Sequence, residues 1–200
     1  PTWFTIFTDL VCLSPFVHTL CVSASVSGKL LSIILYLKEN CHMQSAEYFI
    51  DHLNLQPHVE GGYYCSSFRS DTPFDENRPL WSSIYFLLRT GEVSHFHQLT
   101  ADEMWYFHAG ESLTIYMIDP EGQLTTQQLG LDIERGEKPQ VLVPKGYVFG
   151  SAMNQPGFSL VGCMVSPGFT FEDFTLYDRN GLLNRYPQHR DVILTLTREA

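Results

Sequence analysis

Positive charge is scarce in this sequence. Its 200 residues carry 12 Lys and Arg against 22 Asp and Glu, a formal net charge of −10. A nucleic-acid backbone or an anionic membrane needs a basic patch, so the balance argues against both partners. Charge of either sign is thin: 17% of residues, against about 25% in soluble domains. Hydrophobic residues reach 44% and aromatics 14%, which excludes disorder of the whole chain. Cysteine is sparse and odd in number: Cys12, Cys21, Cys41, Cys65 and Cys163, with no CxxC pair. That is a poor disulfide framework and a poor structural zinc site. No Asn-x-Ser/Thr acceptor occurs either, so a reducing, cytoplasmic location is expected. P-loop, GxGxxG, GxSxG and HExxH motifs are all missing, so nucleotide hydrolysis, dinucleotide redox and the common hydrolase routes lose support.

Long apolar runs are missing too. Val11 to Gly28 is uncharged but broken by Ser, His and Pro, and Leu30–Leu37 is too short for the ~20 residues of a membrane span. Asp9 is the only charge before Lys29, so the basic start of a secretory signal is lacking. Residues 1–42 hold two acidic and two basic residues, and the whole net charge falls on residues 43–200. The chain therefore divides into an N-terminal extension, 1–42, whose role its residues do not specify, and a single domain, 43–200. Met43 reads as the start of that domain. Deleting the extension is expected to leave the domain folded.

In the second part, Ser45 can cap a short helix over Ala46–Leu53, ended by Pro57. Short strands between turn signals follow: Tyr63–Arg69, Ser82–Arg89, Val93–His97, Glu103–His108, Ser112–Ile118, Leu124–Leu129, Gln140–Val143, Val148–Ala152, Phe158–Val165 and Phe171–Leu176. Asp119-Pro120-Glu121-Gly122 is the clearest hairpin turn. The tail after Asp178 reads as a turn and then a short helix near Asp191–Leu196. The pattern predicts one all-β antiparallel domain of jelly-roll type with short flanking helices.

The richest chemistry lies in Gly91–Gly110. Side chains alternate faces along a strand, so His95 and His97 are expected on one face with Phe96 opposite. A turn returns the chain so that Glu103 can face both histidines. Two imidazoles and a carboxylate on one wall suit a metal site or an acid–base site. Trp105 and Phe107 share the face of Glu103 and either line a pocket or fill a core. Around the Gly61-Gly62 turn, His58, Glu60 and Arg69 border a ligand or the neighbouring strand. Arg69 has the shape to hold a carboxylate or phosphate, or to pair with Glu60. Cys163, in an apolar strand, reads as a buried small hydrophobe.

The stretch resembles the first cupin motif, G-x5-HxH-x3,4-E-x6-G. Here Glu103 to Gly110 keeps the spacing, His97 to Glu103 is one residue longer, and Gly91 is two residues closer to His95. The second motif, G-x5-PxG-x2-H-x3-N, resembles Gly136…Pro144-Lys145-Gly146-Tyr147-Val148-Phe149, with Phe149 in the histidine position. More closely, the chain resembles the small cupin family of unknown function also called cupin type 5. The resemblance rests on Leu55–Tyr63, Ile84–Leu88, His95-x-His97, Asp102-Glu103-x-Trp105, Val143-Pro144-x-Gly146 and Ser159–Phe174, and spans about residues 45–178.

This resemblance implies a double-stranded β-helix over residues 60–176, with His95 and His97 facing its interior. It also implies a homodimer, which strand Tyr63–Arg69 can build across a two-fold axis. A cupin metal centre would use His95, His97 and Glu103 here. With Phe149 in place of the remaining ligand, the expected cofactor is none, or a weakly held divalent metal. The metal-free alternative follows dTDP-4-dehydrorhamnose 3,5-epimerase and its relatives, which use His as base and Tyr as acid. By that analogy His95 or His97 is the base and Tyr85 or Tyr64 the acid, with His58, Glu60, Arg69, Trp105 and Phe149 around the substrate. Three readings stay open. They are a metal-independent isomerase or epimerase of a sugar-like or keto small molecule, an iron or manganese oxygenase, and a non-catalytic ligand-binding or protein-interaction module.

Overall fold

The computed structural model describes residues 44–199; the expectations for residues 1–42 fall outside them. Helix α1 (Ala46–His52) begins where Ser45 Oγ accepts the Tyr48 N–H, 3.1 Å away. Then come strands β1 (Gln56–Pro57), β2 (Tyr63–Arg69), β3 (Ser82–Arg89), β4 (Val93–Leu99), β5 (Asp102–Gly110) and β6 (Leu113–Ile118). They continue as β7 (Leu124–Leu129), β8 (Gln140–Val143), β9 (Val148–Met153), β10 (Phe158–Ser166) and β11 (Phe174–Leu176). Helices α2 (Arg179–Arg185) and α3 (Arg190–Thr195) close the described chain.

The strands form two antiparallel sheets, ordered β1-β2-β3-β10-β5-β8 and β11-β4-β9-β6-β7. Their inner faces meet in the jelly-roll core, built around Phe86, Leu88, Trp105, Leu113, Ile115, Phe149 and Val161. The outer face of the second sheet carries Phe96, Ile118 and Val148, covered by Leu182 and Tyr186 of the α2 region and Ile193 of α3. The outer face of the first carries Leu87 and Leu160 under Ala46 of α1 and the following Leu55. Each fully buried aliphatic side chain contributes about 1.5–3 kcal/mol. Among the described residues, no helix is long and apolar enough to cross a membrane.

Three local departures from the sequence reading have physical reasons. Residues 179–185 form α2 rather than a turn, because the Asp178 side chain accepts the Gly181 N–H at 2.8 Å and caps a helix through the Asn180-Gly181 pair. The last strand starts at Phe174, since Phe171–Asp173 winds into a 3-10 turn. Strand β4 carries a bulge: Ser94 pairs with Ser151 and His97 with Phe149, so three steps on one strand oppose two on the other. Gly150 lies between those two partners, and a Cβ there would lie 2.6 Å from the Ser94 carbonyl oxygen.

Candidate functional site

The bulge in β4 decides which histidine enters the barrel. Ser94 and His97 are buried and face inward, while Phe96 packs on the outer face. Pairing is suspended between them: the Phe96 N–H donates to the Leu196 carbonyl at 2.8 Å and the His95 N–H to the Glu60 carbonyl at 2.7 Å. His95 therefore leaves the set expected from strict alternation. Its ring Nδ1 lies 2.6 Å from the same Glu60 carbonyl, which as an acceptor requires an N–H there. His95 is thus corrected from a barrel-lining base to a clamp on the turn that carries Glu60.

That turn is tight. The His58 N–H donates to the Gly62 carbonyl and the Gly61 N–H to the His58 carbonyl, at 2.9 and 3.1 Å. Gly61 has φ +106°, and a Cβ there would collide with the Val93 carbonyl oxygen. Only glycine meets both demands at low cost. The Glu60 side chain is projected inward, where Oε1 accepts the Ser94 hydroxyl at 3.1 Å. Its Oε2 stands 3.2 Å from His97 Nε2.

His97 Nδ1 lies 2.8 Å from the His95 carbonyl oxygen, so Nδ1 carries a proton. The atom facing Glu60 is therefore Nε2, and a hydrogen bond across that gap needs one shared proton. Burial pushes the Glu60 carboxyl up to about 7, against the pull of His58 and of the Ser94 hydroxyl. Burial lowers His97, opposed by the charge of Glu103. Glu103 is also buried and pushed up to about 7, with His97 opposing that rise and Glu60 adding to it. Its Oε2 has no hydrogen-bond partner, an unusual condition for a buried acceptor.

These groups line a cavity of about 220 Å³ between the sheets, together with His58, Tyr64, Arg69, Ser82, Cys163 and Phe174. Tyr64 rests edge-on against the His58 ring, with centroids 4.4 Å apart. Trp105 and Phe149 lie buried behind the cavity rather than on its wall, and the Phe149 ring backs His97 at 4.0 Å. Tyr85 belongs elsewhere. It packs with Leu87 and Leu160 under α1 and meets His108 edgewise at 5.8 Å, so its expected place as an acid beside the histidines is corrected. Alternation explains this, because β3 sends Ile84 and Phe86 inward and Tyr85 outward.

His95, His97 and Glu103 do not present a common ligand set in this arrangement. His95 Nδ1 is committed to the Glu60 carbonyl, both ring nitrogens of His97 are engaged, and Phe149 offers no donor atom. Among the described residues, no group of three or more His, Cys, Asp or Glu side chains has metal-holding geometry. Sequence reasoning missed Ser94 as a partner of Glu60, and Phe169, Phe171 and Phe174 as cavity walls. The signal for Ser94 would have been a bulge, which shifts the inward set of β4 from His95 to Ser94 and His97.

The comparisons with known proteins agree with this architecture. The family described as Cupin superfamily (DUF985) matches residues 47–177. The crystal structure of protein SO0799 from Shewanella oneidensis is 71% identical over 79% of this chain and 100% of its own, with a TM-score of 0.78. A hypothetical protein from Leishmania major is 39% identical over 78% of this chain and 99% of its own, with a TM-score of 0.73. The uncharacterized protein YML079W of Saccharomyces cerevisiae is 28% identical over 151 residues, 66% of this chain and 74% of its own.

Proposed function

We propose an acid–base function for this barrel, and the premise is kinship: the chain belongs to the cupin superfamily, in the family DUF985. The reaction class is metal-independent proton transfer next to a carbonyl, as in isomerisation or epimerisation of a sugar-like or keto small molecule. The observation that carries the reading is the 3.2 Å contact between His97 Nε2 and Glu60 Oε2 inside the pocket between the sheets.

Deprotonated, the Glu60–His97 pair is a base; holding its single proton, it is an acid. Glu103, kept neutral below about 7, offers an O–H to the substrate's carbonyl oxygen. In the forward step the C–H bond next to the carbonyl breaks and its electrons move into an enolate, or an enediolate where the carbon bears a hydroxyl. The negative charge settles on the oxygen bonded by Glu103, and the proton passes to the His97–Glu60 pair. Return of a proton to the same carbon from the other face completes an epimerisation. Return to the former carbonyl carbon, with Glu103 protonating the former carbonyl oxygen and retaking the proton of the neighbouring hydroxyl, completes an isomerisation. Tyr64, on the same wall, is the candidate donor for that return. Base and acid both titrate near neutrality, so the rate should describe a narrow bell around pH ~7.

Proton–deuteron exchange tests this. Dihydroxyacetone, fructose, xylulose and pyruvate are incubated with the protein in D2O, and loss of the α-proton signals is followed by NMR. Exchange above the buffer rate is expected for at least one, falling about a hundredfold or more in His97→Asn. Buffer-rate exchange with every compound would sink the reading.

A homodimer is part of the same proposal. Strand β1 covers β2 only opposite Tyr63 and Tyr64, so the edge beyond them is open, and Phe68 on it is 66% exposed. Light scattering should report two chains; monomers at micromolar concentration would contradict it. Among the described residues, Cys65 and Cys163 are free thiols, as a reducing compartment would keep them.

A further inference from the structure

We propose that the pocket recognises an anionic small molecule, and that Arg69 holds its carboxylate or phosphate group at the mouth. The inference rests on the pocket being a ligand site, and it adds the ligand's charge and the residue that selects for it.

A second bulge aims Arg69. Along β2, Tyr64 pairs with Phe86 and Ser66 with Ile84, and these residues face the barrel. The register then slips between Ser66 and Phe68, so Phe68 pairs with Ser83 and Arg69 with Ser82. Without the slip, alternation would put the Phe68 ring inside and the Arg69 guanidinium outside. With it, the aromatic ring is turned out to water, 66% exposed, and the charged residue joins the cavity wall. Hydrophobic burial alone favours the opposite choice, and bulges beside active sites commonly re-aim a side chain.

Arg69 is also uncommitted. Arg78 pairs with Asp75 and Asp173, Arg89 with Glu92, and Arg179 with Glu199. Among the described residues, Arg69 has no ion pair and no side-chain hydrogen bond. The Ser82 hydroxyl is close by on the same wall. It accepts the Phe169 N–H at 2.9 Å, which leaves its own O–H free to donate. A guanidinium fork beside a hydroxyl donor matches two oxygens of a carboxylate or phosphate. In a chain of net charge −10 the overall field repels anions, so affinity for one has to be built locally, as it is here. Arg69 at the rim and Glu60, His97 and Glu103 in the depth divide the ligand between them. Its anionic end stays at the mouth and its carbonyl or hydroxyl end reaches the acids.

Acetate, pyruvate and inorganic phosphate are titrated into the full chain at constant ionic strength, with acetamide as the neutral counterpart of acetate. The Arg69 Nε–H and His97 ring resonances are the readout. A saturable shift is expected with at least one anion and not with acetamide. Affinity should drop about tenfold or more in Arg69→Gln and recover in part in Arg69→Lys, which keeps the charge and loses the fork. The carboxylate and phosphate arms separate the two sources of the anionic group. A linear, unsaturable response to all three anions, or equal affinity in Arg69→Gln, would overturn the proposal. Binding is read without turnover, so the two readings fail separately. A pocket that binds anions but exchanges no α-protons sinks only the acid–base chemistry. One that exchanges neutral sugars yet ignores every anion sinks only the role of Arg69.

Discussion

The barrel interior has a dry half and a wet half, built from the same sheets. In the dry half Leu113, Ile115, Leu129 and Val143 are buried to within about 1% and belong to the main apolar cluster. In the wet half Glu60, His97 and Glu103 are nearly as buried, at 6%, 2% and 6% exposure, but they are titratable. The first half stabilises the fold at every pH. The second costs stability as its acids ionise, because a buried charge is disfavoured unless it is fully paired. A fold seldom retains that penalty without a use for it.

The difference can be broken hardest from the dry side. Ile115→Ala should cost about 2–5 kcal/mol in chemical denaturation and leave any pH dependence of stability unchanged. A smaller loss, about 2 kcal/mol or more, is expected of Gly61→Ala, because the added Cβ meets backbone at a positive φ. That variant should also displace Glu60, so α-proton exchange would fall further than the lost stability explains.

Glu103→Gln sharpens the contrast in the opposite direction. The folded carboxyl is raised from 4.5 to about 7, so between those values the folded chain holds more protons than the unfolded one. Stability therefore falls as pH rises through that window and levels off above it. His97, lowered by burial, contributes the reverse slope as pH climbs toward its unfolded value of 6.5. An amide at 103 never ionises, so thermal melts should show Glu103→Gln more stable than the parent above about pH 7, by about 3 kcal/mol, with the gain vanishing near pH 4. An equal effect at both ends would mean that the carboxyl is not held neutral. The smallest effect is expected from chelation, which should leave the melting temperature unchanged. Phe149→His should likewise leave zinc affinity unchanged in a competition titration, because both ring nitrogens of His97 are engaged and His95 is committed to the Glu60 carbonyl.

The two halves were not equally legible in the sequence. Strands of the dry half lie between strong turn signals, and β7 and β8 have the ends that composition predicts. The hairpin at Asp119–Gly122 forms, with the Gly122 N–H donating to the Asp119 carbonyl at 2.9 Å. The wet half depends on two bulges, at 94–97 and 66–68, and a bulge adds one residue without leaving a composition signal. Alternation therefore placed His95 beside His97, where the structure has Ser94. Glu60 was visible only as a residue next to two glycines. Its burial depends on His95, 35 positions away in sequence, and no local pattern encodes that.

The central claim is that burial beside His97 raises both Glu60 and Glu103 to about 7, so that near neutrality protonated and ionised carboxyls coexist in the pocket. Carbon-13 NMR of the side-chain carboxyls, assigned through Glu60→Gln and Glu103→Gln and titrated across the stable pH range, tests it most directly. The account predicts two glutamate carboxyls that titrate together near 7, well apart from the exposed ones, with the His97 ring shifting in step. Midpoints for both near the ordinary 4.5 would contradict it, because the pocket would then hold two carboxylates and no acid.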